Sequence, residues 1–264
     1  MKAFSQPALT EILRRLGLQP GDVVLCHAAL HFLGRPEGGV GMYYAALSAL
    51  LDLPNAPGEQ GRGTLAVPAF NFAFARREKY DPQSAPSVGM GALSEYVRQM
   101  PWARRTPHPM QSLAVVGRHA DDLAGRDTPS AFDSGSAFER LLELDGKLLL
   151  LGADIQAASM VHYSEQRAAV PYRYWKDFPG QVKTPQGWQE RTYRMFVRDM
   201  KLDPHLDLHP LQRKLEAQGA WQSQPVNYGW ISVCRLRDFV SVTDTLLAAD
   251  PWHLVSRTGQ TPDA

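Results

Sequence analysis

The chain has 264 residues, of which 44% are hydrophobic and 21% charged, a composition that suits one large globular domain with a substantial core. Lys and Arg (28) nearly balance Asp and Glu (27), so no global field favours nucleic acid or an anionic membrane as a partner. The two cysteines, Cys26 and Cys234, lie in separate apolar runs, which predicts a reduced protein. The first residues give no signal-peptide core and no window reaches the length of a membrane span, so we expect a soluble, cytoplasmic protein.

Strand-like and helical patterns alternate through the first two thirds of the chain. Apolar residues recur at helical spacing before Gly17, and short apolar runs indicate strands that are buried on both faces. In chain order the patterns predict a helix at 8–17, a strand at 23–26, a helix at 41–51, a strand at 63–68, a helix at 90–100, strands at 112–116 and 147–151, and a helix at 157–168. This alternation predicts an α/β layered domain around a largely buried sheet.

The last third of the chain has a different pattern. Alternating polar and apolar residues at 191–197 and 230–236 indicate more exposed, antiparallel strands. We predict a single domain over residues 1–256, in which 181–256 is more antiparallel or subdomain-like, and a disordered tail over 257–264.

The strongest local signal follows the predicted strand 147–151. Gly152 ends this run of leucines and leads to a helix that carries His162 and Glu165. Residues three apart share a helix face, so the carboxylate can orient the imidazole and keep it basic, as in many proton-transfer sites. Taken alone, however, such a pair is more often a surface or capping pair.

Two weaker signals lie earlier in the chain. The segment 104–112 reads Arg-Arg-Thr-Pro-His-Pro-Met-Gln-Ser, a rigid loop whose arginines suit phosphate groups, although an ordinary turn with solvated arginines fits it equally. The stretch that begins at His27 is followed by glycines 34, 38, 39 and 41, which can offer backbone N–H groups to an anion or a carbonyl oxygen. It matches neither a P-loop nor a G-x-G-x-x-G dinucleotide loop.

In combination, these segments resemble the aminoglycoside 3-N-acetyltransferase family. That family has, in order, a strand ending in His-Ser-Ser-Leu, a Gly-Thr-Leu strand running into proline, Arg-Ser-x-His-Pro-x-x-Ser, a Leu-Leu-Leu-Gly strand and Thr-x-x-His-x-x-Glu. The counterparts in this chain are His27–Leu30, Gly63–Pro68, Arg105–Ser112, Leu149–Gly152 and Ser159–Glu165. The likeness covers roughly residues 8 to 180, and it is the ordered series that is specific.

The resemblance implies a layered mixed sheet flanked by helices, unlike the GCN5-related acetyltransferase fold. It also implies acetyl-CoA as co-substrate, a small-molecule amine as acceptor, and His162 as catalytic base. Glu165 is the first candidate to orient His162, and Asp154 is a weaker one. Backbone N–H groups of residues 28–30 and the Ser112 hydroxyl are candidate donors to the oxyanion. The residues implied to line the CoA channel are His27, Ala28, Ala29, Leu30, Arg105, Thr106, His108, Pro109 and Ser112.

The chain departs from the family pattern at several places. Thr106 and Ser159 replace a serine and a threonine of the family and keep the hydroxyl, whereas two other departures change the chemistry. Ala28 and Ala29 replace the paired serines of the first motif, so side-chain hydroxyl contacts to CoA are absent there. After Pro68, drug-modifying members tend to carry acidic residues, whereas residues 69–79 here are apolar and net basic. Such a segment binds a polycation poorly, which predicts a less basic acceptor. An amino sugar, including one that carries a phosphate or nucleotide, fits this prediction. The predicted acceptor-binding residues are Phe70, Asn71, Arg76, Arg77, Tyr172 and Trp175.

Two alternative functions stay open at this point. His205 and His209 are four residues apart, a spacing that can bind zinc on a helix and would suit a metal-dependent hydrolase, but prolines flank the run and no H-E-x-x-H motif is present. The other alternative is a catalytically inactive acyl-CoA-binding protein, which the two alanines at 28 and 29 allow. We expect no metal, and either a monomer or a homodimer.

Overall fold

The computed structural model describes residues 3–256. The α-helices in this range are α1 Gln6–Arg15, α2 Gly41–Leu51, α3 Ala92–Arg98, α4 Ala120–Ala124, α5 Ala137–Glu143, α6 Val161–Arg167, α7 His209–Ala217 and α8 Leu236–Ala249. The strands are β1 Ala3–Phe4, β2 Val23–Ala28, β3 Arg35–Pro36, β4 Thr64–Pro68, β5 Arg104–Arg105, β6 Leu113–Gly117, β7 Lys147–Leu151, β8 Arg173–Thr184, β9 Gly187–Arg198, β10 His205–Leu206, β11 Trp221–Val226, β12 Gly229–Arg235 and β13 Val255–Ser256. None of the helices in this range has the length and apolarity needed to cross a bilayer.

Seven strands form the main sheet, in the order β11-β12-β7-β2-β4-β6-β5. The central strand β2 runs parallel to both β4 and β7, while the other pairs in the sheet are antiparallel. Because parallel strands end at the same edge, the segments that follow β2, β4 and β7 meet there.

The sheet is buried on both faces. Along β7, Leu148 and Leu150 belong to one apolar core, whereas Leu149 and Leu151 belong to the other. Alternate side chains of a strand point to opposite faces, so a continuous run of leucines fits a strand covered by helices on both sides. The layered mixed α/β sheet predicted from the sequence is thus confirmed, and β7 has the predicted bounds.

The structure corrects the predicted helix at 157–168. A 3₁₀ turn occupies Ile155–Ala157, Ala158 has extended backbone angles, and α6 begins only at Val161. His162 therefore lies in the first turn of a short helix. The predicted tail, 257–264, lies outside the described residues.

Strands β8 and β9 form a long antiparallel hairpin apart from the main sheet. An isolated two-stranded ribbon is marginal in water, so its apolar face needs a partner. That face packs in a small core with Phe74, Tyr80 and Met110. The hairpin thus lies beside the edge of the sheet where α6 begins.

Candidate active site

The ends of three adjacent strands bring the predicted site residues together. β2 ends at His27 and Ala28, β4 ends at Pro68, and β7 leads through Gly152 to His162. Gly152 has a φ of 70°, and a Cβ built there would lie 2.6 Å from the carbonyl oxygen of Ala29. Only glycine fits at this close approach, and it lets the loop after β7 lie against the loop after β2.

His162 is held by a buried carboxylate. Its Nδ1 lies 2.5 Å from Oε2 of Glu165, and the Glu165 side chain has 0% exposure. An ionised carboxylate only accepts hydrogen bonds, so Nδ1 carries the proton and Nε2 is left as the basic nitrogen. Arg173 Nη2 lies 3.0 Å from the same Oε2 and balances the buried charge.

The charge state of Glu165 follows from these contacts. Burial alone raises the pKa of this carboxyl, but the hydrogen bond from His162 and the positive charge of Arg173 outweigh it, and the pKa lies below its ordinary value. Tyr172, also fully buried, lies near this carboxylate, and the pKa of its hydroxyl is raised, first by burial and then by the Glu165 charge. Glu165 is therefore a fixed negative charge beside the imidazole.

His162 lies where two cavities adjoin. The first, here called the His27 cavity, measures about 230 Å³ and is bounded by the strand ends and the turn before α6, including His27, Ala28 and Ser159. The second, the Phe178 cavity, measures about 590 Å³ and lies between the hairpin and the sheet edge. His162 and Phe70 line both, so one imidazole can contact a group in either cavity.

A second polar pair lies on the wall of the His27 cavity. Nε2 of His27 is 3.3 Å from the Ser159 hydroxyl, and both side chains are more than nine-tenths buried. Burial, together with the nearby His162, lowers the pKa of His27 to about 4, so its ring is neutral near pH 7. A neutral ring that donates from Nε2 leaves the hydroxyl proton of Ser159 free to point into the cavity.

Comparison with known proteins shows the family of this chain. A family model described as aminoglycoside 3-N-acetyltransferase matches residues 25–248. The chain belongs to the aminoglycoside 3-N-acetyltransferase family. It is 34% identical over 184 residues to aminoglycoside N(3)-acetyltransferase III of Salmonella sp, a match that covers 65% of this chain and 63% of that protein. The matched region thus spans less than two thirds of the Salmonella enzyme.

Solved structures of the aminoglycoside 3-N-acetyltransferase type share the fold. A binary complex of AAC-IIIb with CoASH has a TM-score of 0.80 and 21% identity, and it covers 99% of this chain and 100% of that one. A complex of a mutant of aminoglycoside acetyltransferase AAC(3)-IVa with a gentamicin has a TM-score of 0.75 and 25% identity, and it covers 95% of this chain and 91% of that one. The layered fold expected from the family resemblance is therefore confirmed.

The second family motif, Arg105–Ser112, serves the interior of the protein. The Arg105 guanidinium donates to Ser112 Oγ at 2.9 Å, to the Ala69 carbonyl at 2.5 Å and to the Ala85 carbonyl. Burial lowers the pKa of this guanidinium. The donors of Arg105 are thus used by main-chain and hydroxyl oxygens, and its place in the CoA channel stays a prediction.

The other residues of that motif are also structural. Thr106 Oγ1 accepts the Leu113 N–H at 2.8 Å, Pro109 is buried, and His108 Nδ1 accepts the Gln111 N–H at 3.1 Å. Burial lowers the pKa of His108 to about 4. None of these three side chains lines the His27 cavity or the Phe178 cavity, and their place in a CoA channel stays a prediction. The effect of His108 is indirect, since it accepts from the N–H of Gln111, which lines the Phe178 cavity.

Two predicted oxyanion donors are also engaged elsewhere. The Ala29 N–H donates to the Leu151 carbonyl at 2.9 Å, and the Ser112 hydroxyl donates to the Ala69 carbonyl at 2.9 Å. Leu30 packs against the apolar core of its face. Of the first motif, His27 and Ala28 reach the cavity.

One of the predicted acceptor-binding residues lines the cavities, and the others do not. Phe70 lines both cavities, whereas the Asn71 amide donates to the Pro86 carbonyl and its oxygen accepts the Ala73 N–H. Tyr172 is 1% exposed and cannot stack on a ligand. The remaining three residues, Arg76, Arg77 and Trp175, line neither cavity. Arg76 pairs with Glu78, Arg77 is exposed, and Trp175 stacks on Arg194 at 3.6 Å.

Several cavity residues were missed by sequence reasoning. The Phe178 cavity is lined by two arginines from the hairpin, Arg173 and Arg198, and by Phe132 and Gln166 from elsewhere in the chain. Their side chains lie near His162 because of tertiary folding, and no local motif marks them. In the described part of the chain, no Asp or Glu lines this cavity.

Asp154 and the two late histidines form a separate group. Asp154 lies 3.3 Å from His209 and does not reach His162, so it does not orient that ring. His205 lies on β10 while His209 begins α7, so the pair does not share a helix face. Nowhere in residues 3–256 do three His, Cys, Asp or Glu side chains converge as a metal site would require.

Proposed function

We propose that this chain is an acetyl-CoA-dependent N-acetyltransferase in which His162 is the general base. One observation carries the proposal: an imidazole fixed by a buried carboxylate lies at the junction of two cavities. A bimolecular acyl transfer needs this placement, because donor and acceptor must approach the same base from different sides.

The protonation of the His162–Glu165 pair suits general-base catalysis of acyl transfer. As a neutral amine attacks the thioester carbonyl, a C–N bond forms and Nε2 of His162 takes a proton from the nitrogen. Glu165 stabilises the resulting imidazolium and keeps the ring in place. Collapse of the tetrahedral intermediate breaks the C–S bond, and the imidazolium returns the proton to sulfur. CoASH leaves, and the amide remains on the acceptor.

The acetyl end of the donor fits the His27 cavity. This cavity is the smaller of the two and is walled by Ala28 and Ser159. The structure of AAC-IIIb with CoASH supports CoA as the carrier for this fold. We assign the oxyanion donor to the Ser159 hydroxyl, since the Ala29 N–H and the Ser112 hydroxyl are already committed.

The acceptor amine enters from the Phe178 cavity. Arg173, whose charge is balanced by Glu165, lines it together with the unpaired charge of Arg198 and several aromatic rings, and no carboxylate lines it among the described residues. This lining repels a molecule with several positive charges and suits an amino sugar of low charge, whose ring stacks on aromatic faces. Arg198 takes over the role predicted for Arg76 and Arg77, since it lines the cavity and they do not. Gentamicin, bound by AAC(3)-IVa, is thus a poor acceptor for this chain.

The test is a steady-state assay of thiol release from acetyl-CoA with two acceptors, glucosamine and gentamicin. We expect turnover with glucosamine that falls by about 10²–10⁴-fold in His162→Ala, while the Kd for CoA stays within about twofold. His205→Ala, at an exposed site, is the matched control and retains activity. Equal turnover in His162→Ala would refute the base assignment, and efficient turnover of gentamicin would refute the acceptor assignment.

A further inference from the structure

A third cavity of about 420 Å³ lies apart from His162. It is here called the α7 cleft, because it opens between one face of α7 and the strands β7, β12 and β11. It shares no lining residue with the His27 cavity or the Phe178 cavity. Its size falls in the usual range for small-molecule sites, roughly 300–1,000 Å³.

The α7 cleft is polar where a helix–sheet interface is normally packed with hydrocarbon. On the sheet side, Ser223 and Ser232 are cross-strand partners on one face. On the helix side, Gln212 and Glu216 are four residues apart, and the Gln212 amide donates to Glu216 Oε1 at 2.8 Å, which leaves the Gln212 amide oxygen and Glu216 Oε2 toward the cleft. Deeper in the layer, apolar residues of α7 such as Leu211 pack normally. Polar groups that face each other across an open space are arranged to meet a ligand.

Three exposed aromatic rings stand at the mouth of the cleft. Phe32, Tyr228 and Trp230 are 44%, 69% and 55% exposed, and all three line it. Tyr228 lies on the turn between β11 and β12, Trp230 on β12, and Phe32 on a 3₁₀ turn over Leu30–Leu33. The two turns are anchored to each other, since Tyr228 N–H donates to the Phe32 carbonyl at 3.1 Å and the Asn227 amide donates to the Leu33 carbonyl at 2.6 Å. The rings are therefore presented on a fixed backbone.

The inner wall adds an indole without a hydrogen-bond partner. Trp221 is 6% exposed and lines the cleft, and its Nε1 finds no acceptor among the described residues. A buried donor of this kind costs free energy until an acceptor reaches it. A ligand hydroxyl or a bridging water in the cleft would supply that acceptor.

The charge of the cleft is negative. Asp154 and Glu216 line it, and no Lys or Arg does so among the residues described. His209, on the same wall, lies between carboxylates, with Nδ1 2.7 Å from Asp207 and Nε2 3.3 Å from Asp154. Carboxylates favour cations and hydroxyl donors over anions, and aromatic faces attract both cations and the C–H face of a sugar ring.

From these observations we propose that the α7 cleft binds an amino sugar, a hydroxylated ring bearing an ammonium group, at a site separate from the transfer site. The aromatic rings at the mouth stack on the ring, the serines and Gln212 meet hydroxyls, and Glu216 with Asp154 meets the ammonium group. The proposal does not rest on the function assigned to His162.

Calorimetric titration of the full chain without acetyl-CoA tests the proposal, with glucosamine, glucose and glucose 6-phosphate as probes. Because glucosamine is also the proposed acceptor in the Phe178 cavity, binding to the cleft is defined as the component that is lost in Trp230→Ala and kept in His162→Ala. We expect this component to saturate, with the affinity order glucosamine, then glucose, then glucose 6-phosphate. Trp230→Ala and Glu216→Gln weaken the glucosamine affinity at least tenfold, and both positions are exposed, so the fold tolerates the changes. Trp188→Ala, at an equally exposed tryptophan on the hairpin, is the matched control and leaves the affinity unchanged.

Three results would overturn the proposal. Unchanged glucosamine affinity in both cleft variants would locate the sugar elsewhere, and tighter binding of glucose 6-phosphate would contradict the charge argument. Loss of glucosamine binding in the presence of saturating CoA, restored when CoA is removed, would assign the cleft to the donor. Unaltered binding in His162→Ala supports the separation of the two sites.

Discussion

Nδ1 of His162 lies 2.5 Å from Oε2 of Glu165, and Arg173 approaches the same oxygen at 3.0 Å. One carboxylate oxygen therefore positions the imidazole and neutralises a guanidinium. Because the Glu165 side chain is fully buried, neither partner can be replaced by water without cost. This contact makes Glu165 a positioning residue that acts through His162.

Glu165→Gln is expected to lower kcat by about 10²-fold or more, because the amide no longer fixes the tautomer or stabilises the imidazolium. The KM for acetyl-CoA changes little, since Glu165 lines neither cavity. The measurement is a pH profile of kcat for wild type and variant, with thermal unfolding as the control for fold. A variant that keeps the wild-type kcat at every pH would refute the role.

Ser159→Ala tests the oxyanion assignment. Removal of one donor from such a site costs about 10²–10³-fold in kcat, so we expect a loss of that size with little change in the Kd for CoA. Ser159→Thr keeps the hydroxyl and restores at least a tenth of wild-type kcat. If alanine and threonine variants behave alike, the hydroxyl does not act on the reacting carbonyl.

The sequence predicts the sheet better than the hairpin. β7 is found at its predicted bounds because a run of leucines buried on both faces has few alternatives. β8 contains Pro179 and Gly180, which argue against a strand when read locally, yet its twelve residues pair with β9 along their whole length. Pairing and packing on Phe74 override the local preference, and a single sequence does not reveal such a partner.

The site shows the same limit. His162 and Glu165 are three residues apart on one helix, so local geometry is enough to pair them. Arg173 contacts Glu165 from the β8–β9 hairpin. Arg198 lies on the same hairpin and lines the Phe178 cavity. Residue type alone also did not reveal the contacts of Arg105, because a motif does not tell whether a guanidinium points to a ligand or to buried carbonyls.

Arg198→Glu tests the acceptor charge preference. Arg198 is exposed, lines the Phe178 cavity and has a single hydrogen bond there, to the Pro204 carbonyl at 3.2 Å. Reversal of its charge is expected to raise kcat/KM for gentamicin about tenfold at low salt, and to change that for glucosamine by less than about threefold. Arg76→Glu, outside the cavity, is the control. Equal responses of the two variants would show that the charge at position 198 does not select the acceptor.

Arg105→Met separates a structural role from phosphate binding. Loss of the guanidinium strands the Ala85 carbonyl and leaves the Ala69 carbonyl with the Ser112 hydroxyl as donor, so the free energy of unfolding should fall by about 3 kcal/mol, while the Kd for CoA stays within about twofold. Arg104→Met, at the exposed neighbour that pairs with Asp121, is expected to change stability by less than about 1 kcal/mol. Urea unfolding and CoA titration of both variants give the answer. A tenfold loss of CoA affinity confined to Arg105→Met would restore the original interpretation.

The two buried histidines predict how stability depends on pH. His27 and His108 have pKa values of about 4, whereas in the unfolded chain a histidine titrates near 6.5. Well above pH 6.5 both states are neutral, and no pH dependence arises from these groups. Between about pH 6.5 and pH 4 the unfolded chain binds protons that the native state does not, so stability falls as pH falls. Each histidine accounts for a loss of about 3 kcal/mol over that window.

His108→Asn isolates one of these contributions. The Asn oxygen can accept the Gln111 N–H that Nδ1 accepts at 3.1 Å, but it does not titrate. The measurement is urea unfolding at intervals from about pH 7 to pH 5, above the range where most carboxyl groups titrate in the unfolded chain. The slope of the free energy of unfolding against pH gives the number of protons taken up on unfolding, and this number should be lower by about one in the variant than in wild type. Thr106→Ser, at a buried neighbour with no titratable group, is the control and keeps the wild-type slope. If His108→Asn keeps it too, the imidazole at position 108 is protonated in the native state, and the hydrogen bond assigned to its Nδ1 is wrong.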